Sequence, residues 1–173
     1  MDFLELAQSR RSIRNFQEKD ISRDDVDVLL KAAQAAPSGG NRQPWHFYVV
    51  RDTQIKADIA DKAARQPFIK TAPVIIVVCA DAPQSGRRYG ERGETLYCIQ
   101  DTAAAIQNML LCAKSLGLGS CWCGAFDESA VSGILGLAAE LRPIAVIPFG
   151  YPGDEPLNPA TRRPPDEVVT YIG

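Results

Sequence analysis

The sequence predicts an α+β domain. Three observations carry that reading. Val74-Ile75-Ile76-Val77-Val78-Cys79 is an unbroken apolar run introduced by Pro73, the pattern of a strand buried on both faces. Trp45 to Val50 is rich in aromatic and β-branched residues, the pattern of a second strand. Ser22 to Ala36 and Thr95 to Leu116 space their apolar residues at the helical period.

The elements follow in chain order. Asp2 to Ala7 reads as a short helix with Asp2 at its N-terminus and Phe3, Leu4 and Leu6 on it. A basic segment, Arg10-Arg11-Ser12-Ile13-Arg14, comes next. Ser22 stands three residues before Asp25, a loose capping box, and opens a helix carrying Val26, Leu29, Leu30 and Ala33. Pro37-Ser38-Gly39-Gly40-Asn41 stops that helix in a loop. Thr53 to Ala64 is a helix with Ile55, Ile59 and Ala63 on one face. Asp81 to Gly93 reads as a polar loop with Pro83, Gly86 and Gly90. Thr95 to Leu116 is apolar nearly all round, which predicts a helix through the centre of the molecule or at a subunit interface. Gly117 and Gly119 end it, and Ser120 to Gly124 is a short strand or turn. Asp127 caps a helix through Leu135, and Arg142 to Phe149 is the last core strand. From Gly150 onward prolines dominate, so residues 150–173 are expected to form an extended tail packing on a second subunit, with Val168 to Ile172 as a strand.

Composition narrows the function. The chain has 173 residues, 46% hydrophobic and 23% charged, with a formal net charge of -2. That length predicts one domain spanning 1–173. The near-neutral balance argues against a dedicated nucleic-acid binder. No apolar run approaches a membrane span, and Asp2 and Glu5 argue against a signal peptide. His46 is the sole histidine, so a zinc site on paired histidines is out within one chain. The five cysteines, an odd count with no Cys-x-x-Cys, read as free thiols in a reducing cytoplasm.

Three segments could carry chemistry. Arg10, Arg11 and Arg14, with the Ser12 hydroxyl between them, are either a phosphate clamp or a solvated charge cluster. Ser38, Gly39 and Asn41 sit where amides and close backbone approach could read a heterocycle edge, or simply turn the chain. Gly117-Leu118-Gly119-Ser120-Cys121-Trp122-Cys123-Gly124 fails as a dinucleotide loop, because Trp122 takes the place of the third glycine and a helix precedes it. Cys121 and Cys123 are expected to point to opposite sides and to be structural thiols. Arg162-Arg163 is a second basic point, in the tail.

The order of these segments is more informative than any of them. Arg10-Arg11-Ser12-Ile13-Arg14-x-Phe16 comes first. Ala36-Pro37-Ser38-x-x-Asn41-x-Gln43-Pro44-Trp45-His46-Phe47 follows, and Ala72-Pro73-Val74 opens the buried strand. Leu116-Gly117-Leu118-Gly119-x-x-Trp122-x-Gly124-Ala125-Phe126 comes after the long helix, then Gly150-Tyr151-Pro152 and a tail arginine. Together they resemble the nitroreductase family of FMN enzymes, from about Phe3 to Val169.

The resemblance implies a three-layer fold. A central mixed, mainly antiparallel sheet would carry flanking helices and a C-terminal tail swapped onto the partner of a homodimer. It implies two FMN sites at the subunit interface. Arg10 and Ser12 would hold the phosphate, with Arg11 beside them, and Arg14 would reach the pyrimidine side. Ser38, Gly39 and Asn41 would come from the other subunit. Cys121, Trp122, Cys123 and Gly124 would lie over the flavin with an N–H aimed at N5. Arg162 would close on the phosphate, and Gly150 is a further candidate. The implied activity is an FMN-dependent oxidoreductase. NAD(P)H would reduce the flavin, which would pass electrons to a nitroaromatic or quinone by ping-pong turnover. A flavin-dependent dehydrogenase of a small metabolite and a non-catalytic flavin carrier are the alternatives. The segment Asp81 to Glu94 is short for the family's lid.

Overall fold

The computed structural model describes residues 2–154 and 161–173. Its centre is a four-stranded sheet in the order β1-β2-β4-β3, where β1 is Trp45–Val50, β2 Val74–Asp81, β3 Gly119–Ser120 and β4 Leu141–Gly150. All three strand pairs are antiparallel. The mixed character expected of the sheet comes down to one parallel bridge, Ser12 to Ser120.

The alternation along β2 divides the core in two. Val74, Ile76 and Val78 face one side with Ala145, Ile147 and Phe149 of β4. Ile75, Val77 and Cys79 face the other with Val146. On the first side lie α2 (Arg23–Gln34), through Val26, Leu29 and Ala33, and α5 (Cys98–Ser115), through Ala105, Ile106 and Met109. On the second lie the helical segment Ile59–Ala64, Ile69, and Val131 of α6 (Glu128–Leu135). Helices on both faces of the sheet make the three layers, and both faces of β2 are excluded from water, as its unbroken apolar run requires.

Local signals account for the helix starts. α1 (Phe3–Ser9) has a reciprocal capping box between Asp2 and Glu5. Ser22 accepts from the Asp25 N–H at 3.0 Å, but the Asp25 carboxylate bonds back to the Ser22 hydroxyl, not to the backbone. Asp127 caps α6 through the Ala130 N–H. The helix expected over Thr53 to Ala64 is α3 (Thr53–Asp58) continued by the wider turn Ile59–Ala64.

Two expectations fail. Asp81 to Gly93 is not a loop. Asp81 accepts from the Gln84 N–H at 2.9 Å, Pro83 sits in the first turn, and α4 runs Ala82–Arg92. Gly90, at φ +56°, breaks the helix, and Gly93–Tyr97 then winds into α5. The second failure is in the tail. Among the described residues it holds one short turn, Pro165–Glu167, and no strand at Val168 to Ile172. Val168, Val169, Tyr171 and Ile172 are exposed. Pro156 and Pro159 lie outside the described residues. Gly150 ends β4, so the change of character falls just after it. β4 tolerates Pro143 because the register shifts beside it, between Val78 and Cys79.

Candidate active site

Site residues gather at both ends of α5. At its C-terminal end, the Arg10–Arg14 segment crosses the sheet edge. Ile13 donates its N–H to the Ser120 carbonyl at 2.9 Å, and Gly119 lies so close that a Cβ would stand 2.8 Å from Ile13. Arg10 and Arg11 line a recess with Lys114 and Gly117, Leu118, Gly119 and Ser120. Arg11 also donates to the Gln8 and Arg10 carbonyls and borders a second cleft with Arg162. Among the described residues no carboxylate forms an ion pair with Arg10, Arg11, Arg14 or Lys114, while Arg51, Arg142 and Arg163 all have such partners. The recess is therefore a pocket of uncompensated positive charge, the electrostatic requirement for a phosphate.

The extended segment after β3 runs on beside β4. Cys121 N–H bonds to the Pro148 carbonyl at 3.4 Å and Cys123 N–H to the Val146 carbonyl at 3.0 Å. Successive N–H groups of an extended chain point to opposite sides. The N–H groups of Trp122 and Gly124 therefore point away from β4, and among the described residues neither donates to a backbone carbonyl. Trp122 is 39% exposed. Arg14 lies over the Phe68 ring, 5.8 Å from its centroid.

The expectation that Cys121 and Cys123 face opposite sides is wrong. Residues two apart in extended backbone share a face. Both thiols are buried in the second core cluster, and the Cys123 thiol donates to the Cys121 carbonyl oxygen at 3.9 Å. The neighbouring Cys123 side chain, together with Arg14, Ser12 and Arg10, pulls Cys121 below the usual thiol range, while the Cys121 side chain and burial push Cys123 up. All five cysteines are free.

Ser38, Gly39 and Asn41 lie at the other end of α5. Gly39 donates its N–H to both oxygens of Asp101, in the first turn of the helix. Ser38 Oγ accepts from the Gln43 N–H at 2.9 Å. Gly40, Asn41 and Gln43 all have positive φ, near +50°. α4 covers this loop: Arg42 Nε donates to the Gln84 carbonyl and Gln84 Nε2 to the Arg42 carbonyl. Thirteen residues of α5 separate Asp101 from Lys114, about 20 Å along the axis. One chain thus brings Arg10, Arg11, Ser12, Arg14 and Cys121 together, joins Arg162 to Arg11, and holds Ser38, Gly39 and Asn41 far away. Gly150 is walled in, with a Cβ there meeting Phe16 at 2.7 Å and Pro73 at 2.9 Å.

Sequence reasoning missed Lys114 and Asp101. Lys114 follows an apolar helix and has no motif of its own. Asp101 did leave a signal, a carboxylate inside an otherwise apolar helix. Among the described residues no helix is long and apolar enough to cross a membrane, and no cluster of three metal-ligating side chains occurs.

Comparison with known proteins agrees with this architecture. The model of the Nitroreductase family matches residues 7–67 and 61–151. A protein of Archaeoglobus fulgidus, provisionally named NADH dehydrogenase/NAD(P)H nitroreductase, is 38% identical over 156 residues, 88% of this chain and 86% of its own. The FMN reductase (NADPH) of Bacillus subtilis is 27% identical over 97% of this chain and 72% of its own. The crystal structure of a nitroreductase family protein from Clostridium difficile superposes with a TM-score of 0.86 at 34% identity, covering 99% of this chain and 98% of that one. With the three-layer fold and a family match across most of its length, the chain belongs to the nitroreductase family and is an oxidoreductase.

Proposed function

We propose that this chain is a single-domain FMN-dependent NAD(P)H oxidoreductase acting as a homodimer. Each flavin would be held by Arg10, Arg11, Ser12, Arg14, Cys121 to Gly124 and Arg162 of one protomer and by Ser38, Gly39 and Asn41 of its partner. The observation that carries the reading is the separation of the two halves. The unpaired cations and the N–H groups turned away from β4 lie at one end of α5, and the amide-rich loop about 20 Å away at the other. A flavin mononucleotide is too short to bridge them within one chain, and a second copy turned by a two-fold axis supplies the missing half to each site. The FMN reductase relative supports the choice of cofactor.

Bound flavin would supply hydride transfer through its N5, so the protein needs no nucleophile of its own. The chain's residues hold and bias the ring. Arg10, Arg11 and Lys114 would neutralise the phosphate, and the Ser12 hydroxyl would donate a hydrogen bond to it. Arg14, steadied on Phe68, stabilises negative charge at the pyrimidine side when the flavin is reduced. The Trp122 or Gly124 N–H, turned away from β4, would be the donor available to N5. NAD(P)H and the acceptor use the same open face in turn, by ping-pong turnover. The acceptor class is the electron-poor nitroaromatic or quinone.

The test is the visible absorbance spectrum of the purified protein, with the released chromophore identified after denaturation. About one FMN per chain, bleached by NAD(P)H and restored by a quinone, is expected. A colourless protein that fails to bind added FMN overturns the site. A flavin that NAD(P)H does not reduce leaves only a carrier.

A further inference from the structure

A second set of arginines lies at the far end of α5 from the flavin recess, on α4. Arg87, Arg88 and Arg92 are exposed there, and among the described residues none of them pairs with a carboxylate. Glu91 and Glu94 are close in sequence, yet neither forms an ion pair, and Glu94 packs on Gly86. Arg87 donates to Gln84 Oε1. Arg88 and Arg92 are held on aromatic rings instead. Arg88 lies 5.6 Å from the Tyr89 ring centroid and Arg92 5.3 Å from that of Tyr97, whose hydroxyl also accepts from Arg92 Nε at 3.0 Å. The two rings meet edge to face at 5.1 Å. Both sit on the Ser38–Asn41 loop. A Cβ at Gly39 would lie 3.4 Å from Tyr89 and 3.7 Å from Tyr97, and one at Gly40 would lie 2.6 Å from the Tyr89 hydroxyl and 3.1 Å from Arg88 Cδ and Nε. Two guanidinium groups are thus fixed beside the loop assigned above to the partner's half of each flavin site. A guanidinium resting on a ring keeps N–H donors for an anion and loses little freedom when one arrives.

Resting on the flavin reading, we propose that Arg88 and Arg92 bind the 2′-phosphate of NADPH and make the enzyme prefer NADPH to NADH. The two donors differ in that phosphate alone. Hydride transfer needs the nicotinamide over the flavin ring, so the adenosine half has to leave along the rim of the site. On the side of the Ser38–Asn41 loop that rim is α4. The cations at the other end of α5 are committed to the flavin phosphate, whereas Arg88 and Arg92 hold nothing but their rings. Their exposure suits a group that stays at the mouth of the site and in contact with water. Phosphate accepts paired N–H donors from a guanidinium. Three arginines against Glu91 over residues 87–92 add a long-range attraction for it. The ribose hydroxyl of NADH carries no charge, so the same side chains contribute little to its binding.

The test compares kcat/KM for NADPH and NADH, with a quinone as acceptor, in wild type and in Arg88→Ala/Arg92→Ala. Wild type is expected to favour NADPH by about 10- to 100-fold. The double variant should lose about 10-fold with NADPH and change less than about twofold with NADH. Calorimetry gives a readout without turnover. Adenosine 2′,5′-bisphosphate should bind the flavin-loaded wild type about tenfold more tightly than 5′-AMP, and the double variant should bind the two alike. Equal use of the two donors by wild type overturns the proposal and needs no variant. A preference that survives the double substitution, or an equal loss with both donors, overturns it too. If the surviving preference comes with a selective loss of 4-nitrobenzoate over nitrobenzene, the patch serves the acceptor instead. If no flavin binds, the flavin reading has failed. The two adenosine nucleotides are then titrated into the Arg10→Ala chain, whose recess has lost a cation. Tighter binding of the bisphosphate that Arg88→Ala abolishes keeps the phosphate site on α4, and equal binding overturns it.

Discussion

Gly39 gives its backbone N–H to both carboxylate oxygens of Asp101, at 3.1 and 3.2 Å. Asp101 is buried, and its carboxyl is raised above its usual pKa by desolvation, an effect the Gly39 bond opposes. A charged group is kept inside an apolar helix because it pins a loop. That loop holds three residues at positive φ, two of them not glycine beside Gly40, and left-handed backbone of this kind persists only where surrounding contacts hold it.

Asp101→Ala removes the pin. The Gly39 N–H loses a charged acceptor, which costs about 1–3 kcal/mol of stability, and the loop loosens. FMN affinity should fall with it. Denaturant unfolding and flavin titration read the two effects, and a variant with wild-type affinity contradicts a role for the Ser38–Asn41 loop in binding.

Arg10→Ala removes one cation from the recess shared with Arg11 and Lys114. A charge-assisted contact of about 1.5–3 kcal/mol corresponds to a roughly 10- to 150-fold weaker FMN dissociation constant. Arg87→Ala is the control, since Arg87 is exposed on α4 and, among the described residues, its guanidinium donates to Gln84 Oε1 alone. Equal constants for the two variants would remove the phosphate assignment.

These sites were unequally legible in the sequence. β2 was plain because a fully buried strand leaves an unbroken apolar run. α6 was plain because Asp127 marks its start. α4 was misread because Gly86 and Gly90 look like loop residues. Yet Gly86 is glycine because Glu94 packs against it, and Gly90 because the helix breaks there. The arginine segment could be seen as charge, but Lys114 could not, since only the long-range pairing of Ile13 with Ser120 brings them together. The thiol pair was misplaced by a wrong assignment of faces, although the two-residue spacing itself held the answer.

Lys56 is buried, with its ammonium donating to the Ala72 and Pro73 carbonyls at 2.7 and 3.3 Å. Burial lowers its pKa from 10.5. Between the lowered value and 10.5 the unfolded chain binds the extra proton, so stability rises with pH across that window. Lys56→Met should cost about 1–3 kcal/mol at neutral pH, since two carbonyls lose their donor. Its profile should also lack the alkaline rise, so the gap to wild type widens toward pH 10.5. Parallel unfolding profiles from neutral pH upward would contradict a buried, charged Lys56.

Gly119→Ala tests the seam between the arginine segment and β3. The new methyl would stand 2.8–2.9 Å from three atoms of Ile13, which is itself packed in the second core cluster. Overpacking of that kind costs about 1–3 kcal/mol. Because Ile13 carries the Ser120 hydrogen bond, the shift should move Ser12 and Arg14 and weaken FMN binding as well. Gly133→Ala, inside α6 and with nothing within 4 Å of the added carbon, should stabilise the helix by about 0.5–1 kcal/mol and leave affinity unchanged.

Mixing two damaged subunits tests the shared site most directly. Arg10→Ala damages the half-site at one end of α5, and Asp101→Ala the half-site at the other. At an FMN concentration where neither homodimer retains flavin, unfolding and refolding the two together lets mixed dimers form. In each mixed dimer one site receives both damaged halves, and the other receives the intact arginine segment of one protomer and the intact loop of its partner. Equal input should therefore restore flavin to about a quarter of all sites. A mixture as colourless as its parents, with light scattering showing that dimers have formed, would mean that each site is built within one chain.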